Sequence, residues 1–159
     1  MKNSSSLIAL SALLMGTAAC DMPATFEPGP EARRHVGIVE WSRSDVQTFA
    51  DPALGALTAP DTVTAGQPFQ VTVTTVGPNS CWRVAQTELA MQPSLATITP
   101  FDRVIDGICA QALVSLPHTV QVRFDVPGEA TLRAYGRRVL DGNLNAATTR
   151  TVEKRIVVR

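Results

Sequence analysis

Residues Pro60–Ser80 read PDTVTAGQPFQVTVTTVGPNS, and their period decides the class of the fold. Phe69, Val71 and Val73 alternate with Gln70, Thr72 and Thr74, so a strand here has one apolar face and one wet face. Ala65-Gly66 on one side and Gly77-Pro78-Asn79-Ser80 on the other supply turns. The pattern repeats downstream in TVQVRFDVPGEATLRAYG. Val120, Val122 and Phe124 are predicted to point inward, as are Ala130, Leu132 and Ala134 after the Pro127-Gly128 turn. Leu140-Asp141-Gly142-Asn143 marks a further turn, and the last strand turns Val152, Ile156 and Val158 inward. His35–Trp41 is rich in β-formers, and no helical period stands out. Short strands between turns predict an all-β sandwich or barrel.

The middle of the chain is open to two readings. Cys81–Gln92 reads as a strand with Cys81, Ala85, Thr87, Leu89 and Met91 on one face, and Cys109–Leu116 as a strand or one short helix. Asp102 and Asp106 read as polar flanks of a turn.

The N-terminus has a different logic. Lys2, a polar run, an apolar block from Leu7 to Met15 and small residues Gly16–Ala19 follow the order of a secretory signal peptide. Leu7–Ala19 is shorter than the roughly 20 apolar residues a spanning helix needs. Ala18-Ala19-Cys20 resembles the lipobox of bacterial lipoproteins, although Thr17 stands where that family prefers Leu. The resemblance implies cleavage before Cys20, acylation (palmitate among the chains) and a membrane held as partner through the lipid. Ordinary cleavage after Ala19, leaving a free thiol, is the competing reading. The expected organisation is a signal peptide over 1–19, a proline-rich tether over 20–34 and one β domain over 35–159. The tether, semi-extended, reaches up to about 40 Å.

Export brings an oxidising compartment, where paired cysteines become disulfides. With Cys20 acylated, only Cys81 and Cys109 remain, and a bond between them is expected. A thiolate metal site with His35 or His118 is the rival, but it lacks the close ligand spacing of zinc sites. Hydrophobic residues make up 45% of the chain, enough for a core. Loss of Lys2 leaves a net charge of about −1, which gives no reason to expect nucleic acid.

PDTVTAGQPFQVTVTTVG looks like the opening strands of bacterial immunoglobulin-like domains, and VRFDVPGEATLRAYG with TTRTVEKRIVV like their last strands. The resemblance covers under half the chain. It implies an immunoglobulin-like antiparallel β-sandwich, here with an extra N-terminal strand segment, and it implies no catalytic residues. Trp82 sits beside its cysteine and the two cysteines are close in sequence. The bond should therefore pin a local excursion rather than bridge two sheets.

No nucleophile, base and orienting group stand in a recognisable spacing, and no phosphate loop, metal motif or cofactor motif is present. Catalytic, cofactor and metal residues are accordingly none. His35 and His118 read as surface histidines. The one surface feature above background is a stripe of Arg133, Tyr135, Arg137 and Arg155, placed outward on two strands that the Leu140–Asn143 turn should pair. Such a stripe suits an envelope protein or an anionic envelope polymer; a solvated face with Glu129 and Glu153 as partners is the plainer reading. The expected function is a membrane-anchored, non-catalytic lipoprotein of the bacterial cell envelope, a binding module or an accessory subunit. The alternative is a small envelope enzyme with an unrecognised site. A cleft gathering a histidine with an acid or hydroxyl would favour the enzyme.

Overall fold

The computed structural model describes residues 34–42 and 56–159. The expected signal peptide, Cys20 and the expected tether up to residue 33 lie outside the described residues. Ten strands run in order: β1 (Arg34–Val36), β2 (Ile38–Trp41), β3 (Leu57–Thr58), β4 (Thr62–Val63), β5 (Phe69–Gly77), β6 (Trp82–Gln92), β7 (Leu95–Val104), β8 (Val114–Val122), β9 (Gly128–Val139) and β10 (Thr148–Val158). They form a seven-stranded sheet and a three-stranded sheet, β3-β5-β8, an all-β sandwich.

The period-two segments build the core. Val71 and Val73 of β5, Val122 of β8, Ala130, Leu132 and Ala134 of β9, and Ile156 and Val158 of β10 are buried and meet between the sheets, with Phe124 among them. A second, smaller core joins Ile38, Trp41 and Val139. Alternation forces this arrangement, because a one-residue slip would send each strand's apolar set into water.

In the larger sheet β9 and β10 pair antiparallel from Thr148↔Arg138 to Val158↔Gly128. Their connection contains Asp141 at φ 52° and Gly142 at φ 70°. These two left-handed residues are the centre of a tight turn that Asn143 N closes on Leu140 O at 3.0 Å, and a 3-10 turn at Leu144–Ala146 completes the connection. Parallel pairs join β7 to β9, β2 to β9 and β4 to β10, so this sheet is mixed. The chain leaves β7, crosses to the other sheet as β8 and returns as β9, which leaves β7 and β9 pointing the same way.

The extra N-terminal segment is β1 and β2. They pair with the end of β7 and the end of β9, joined through Gly37. A Cβ at Gly37 would stand 2.4 Å from Thr75 Cγ2 and 3.0 Å from Asp102 Oδ2, so only glycine fits this crossing.

Cys81–Gln92 is a strand apart from Cys81 itself. Its register against β7 slips between Val84 and Gln86, a bulge at Ala85. Thr87, Leu89 and Met91 share a face as expected. The bulge reverses parity above them, so Trp82 and Val84 take the places expected of Cys81 and Ala85. Residues 109–113 are irregular, and Val114–Leu116 enter β8.

Cys81 and Cys109 form a disulfide with Cα atoms 5.3 Å apart, 28 residues apart in sequence. Around it Ile105 N donates to Cys81 O at 3.0 Å and Ser80 N to Ala110 O at 3.0 Å. The bond therefore ties the 105–113 excursion to the start of β6, the local role its spacing implied.

Candidate functional site

Four strands each deliver one polar side chain to the interior. Thr75 lies on the inner face of β5, Thr87 on β6, Asp102 on β7 and His118 on β8. Asp102 and His118 are 0% and 1% exposed, which overturns their reading as a turn flank and a surface histidine.

The hydrogen bonds form a chain. Thr75 Oγ1 donates to Asp102 Oδ2 at 2.8 Å. His118 Nε2 lies 2.9 Å from Asp102 Oδ1, and His118 Nδ1 lies 2.9 Å from Thr87 Oγ1. A carboxylate only accepts, so Nε2 carries the proton towards Asp102. In the neutral ring Nδ1 then accepts from the Thr87 hydroxyl. Both carboxylate oxygens and both ring nitrogens are thus engaged. A buried carboxylate without such partners would be severely penalised.

The signal for this cluster was in the period. Ala96, Ile98, Pro100 and Asp102 alternate along β7, and Leu116, His118, Val120 and Val122 along β8. Asp102 and His118 hold positions on apolar faces, and the residue types concealed it.

Arg137 borders this region. Its Nε donates to Val36 O at 2.7 Å, and its Nη2 is buried without a hydrogen-bond partner. Burial pulls the guanidinium pKa below its usual value, and the Asp102 charge opposes that shift.

The outer stripe divides accordingly. Arg133, Tyr135 and Arg155 occupy one outer face, opposite Glu153, Thr151 and Thr131. Arg133 Nε donates to Glu153 at 2.7 Å, while Tyr135 and Arg155 are exposed. Arg137 is drawn off that face by the Val36 carbonyl. His35 is exposed, its ring tilted against Trp82 at 5.4 Å.

The arrangement can do two things. It can fix the two sheets against each other through a closed polar chain. It also has the order acid, imidazole, hydroxyl that activates a nucleophile, with Thr87 only half-buried. Against family models, curated proteins and solved structures, the chain finds no match.

Proposed function

We propose that this is an exported bacterial lipoprotein, anchored through Cys20, whose immunoglobulin-like sandwich is a non-catalytic binding or accessory module of the cell envelope. The observation that carries the non-catalytic part is the closure of the polar chain. Asp102 and His118 spend their hydrogen-bonding capacity on each other and on two threonines, away from solvent. The anchored part rests on the order of residues up to Cys20. Mass spectrometry of the membrane fraction should find an N-terminal peptide that begins at Cys20 and is heavier by acyl groups. A soluble protein with an unmodified Cys20 or Asp21 terminus would end that part of the proposal.

The binding face on this reading carries Arg133, Tyr135 and Arg155 and meets an anionic envelope partner. Changing Arg133 and Arg155 to Ser should reduce recovery of partners from the cell's own membranes. The exposed Arg133–Glu153 pair contributes about 0.2–1 kcal/mol, so the melting temperature should barely move. A large loss of stability, or unchanged recovery, removes the face from the account.

One observation favours a second reading, an envelope acyl-transfer or hydrolytic enzyme. The Thr87 hydroxyl stands on His118 Nδ1, with Asp102 behind the ring. Thr87 would be the nucleophile, His118 the base and Asp102 its orienting group. Covalent labelling of Thr87 by a fluorophosphonate probe, lost in His118→Gln, would establish this reading over the first.

A further inference from the structure

The long edge strand of the larger sheet carries an inference independent of Cys20 and of the outer face. Pro100 of β7 lacks an N–H, and its carbonyl accepts from Gly37 N on the β1 side at 2.9 Å. Its opposite number Thr87 is therefore a non-bonded partner in the β6–β7 ladder. The bonded pairs are Glu88↔Thr99, Ala90↔Thr97 and Gln92↔Leu95. The backbone N–H and C=O groups of Leu89 and Met91 consequently turn off the free side of β6. Among the described residues, β6 pairs with β7 alone.

Natural sheets blunt such edges with proline, lysine or short strands. The neighbouring edge, β8, follows that rule. Thr74 N donates to Ala56 O on the β3 side at 2.8 Å, so Pro117, opposite Thr74, aims its proton-less nitrogen outward. Residues 88–92 of β6 carry no proline, lysine or bulge, and Glu88 is their one charge. Residues 88–92 are all exposed, with Leu89 at 37% and Met91 at 43%.

We propose that this edge pairs with the same edge of a second copy of the chain, antiparallel about a two-fold axis through Ala90. The chemistry of 88–92 specifies both the occupant and the register. The occupant must be an unblocked strand, apolar at alternate positions and bearing no like charge opposite Glu88. Among the described strands, Glu88–Gln92 meets that description itself. Centred on Ala90, Leu89 of each copy lies against Met91 of the other, in bonded pairs that use the free backbone groups. Glu88 faces Gln92, whose amide donates to the carboxylate. Ala90 meets its own copy at a non-bonded position, where Cα atoms approach to about 4.5 Å and a small side chain fits. A register centred on Glu88 would set two carboxylates together. The two larger sheets become one continuous sheet across the axis.

The protein in its own cells, wherever it fractionates, provides the test. Ala90→Cys, treated with a mild oxidant, should give a covalent dimer on non-reducing gels, because that Cα spacing suits a disulfide. Neither the parent protein nor Gln70→Cys, exposed on the outer face of β5, should do so. Met91→Lys, which leaves the β6–β7 bonds intact, should lower dimer yield at least tenfold in the Ala90→Cys background. In detergent, the parent's sedimentation should depend on concentration and that of Met91→Lys should not. Absence of the covalent dimer in a protein that melts like the parent overturns the proposal. So does a dimer that Met91→Lys leaves untouched, since that marks random collision. If Ala90→Cys fails to fold, the sedimentation comparison decides alone, and a concentration-independent monomer overturns the proposal.

Discussion

Replacing His118 by Ala should destabilise the domain by about 3–5 kcal/mol, the cost of leaving a buried charge unpaired. Asp102 Oδ1 loses its donor, and Thr75 serves only Oδ2. Denaturant titration of the single variant should therefore show a large drop in midpoint. The double variant Asp102→Leu/His118→Leu should recover most of the loss, because replacing both partners of a buried polar pair by apolar groups is often neutral or favourable. Recovery identifies the cluster as a structural unit whose members depend on one another. If His118→Ala alone stays within about 1 kcal/mol of the parent, the polar chain does not hold the sheets together and its four members are not a structural unit.

Breaking the Cys81–Cys109 bond should have the next largest effect. The Cys81→Ser/Cys109→Ser variant is expected to lose about 3–4 kcal/mol on the chain-entropy estimate, a fall in melting temperature on the order of 10–15 °C. Side-chain burial does little to hold the excursion in place. Ile108 is fully exposed, and residues 105–113 bury few side chains of their own. Their backbone bonds to Ser80 and Cys81 depend on the two segments staying adjacent. Calorimetry of the parent with and without reductant gives the same comparison without mutation. A melting temperature indifferent to both treatments would show that the strands alone position the excursion.

The parts of the fold legible in the sequence are those where a local rule is sufficient. β5, β8, β9 and β10 carry a period of two, interrupted at Thr75, His118 and Lys154, and their inward apolar residues follow from it. The disulfide is expected if the chain is exported and Cys20 acylated, which leaves Cys81 and Cys109 as the pair, and the bond is present. Ala85 is different: a bulge adds one residue, and nothing in Arg83–Gln86 announces it. The parallel pairing of β7 with β9 depends on a crossover through the other sheet, which no local window contains. Asp102 and His118 were misread for another reason. Their positions on alternating apolar faces were visible, but a lone acid and a lone histidine are more often on the surface, and residue type outweighed position. Arg137 fits its period, yet the Val36 carbonyl that captures it arrives from a strand at the far end of the chain. The exposed Arg133, Tyr135 and Arg155 lie where alternation puts them.

The insertion of β1 and β2 also sets an order of assembly. Val36 and Arg137, joined by a hydrogen bond, are 101 residues apart, and Val39 fills the space where Gly136 would carry a side chain. These strands leave the ribosome about a hundred residues ahead of the part of β9 that receives them. Ile38, Val39 and Trp41 therefore have no place to bury themselves until nearly the whole domain has been delivered. Closing so distant a pair exacts its loop entropy before any contact returns it, which puts the docking of this segment late and in the slow, millisecond-to-second regime of non-local β folds. Until then three apolar side chains stay open to water, and their docking marks the moment the domain is complete.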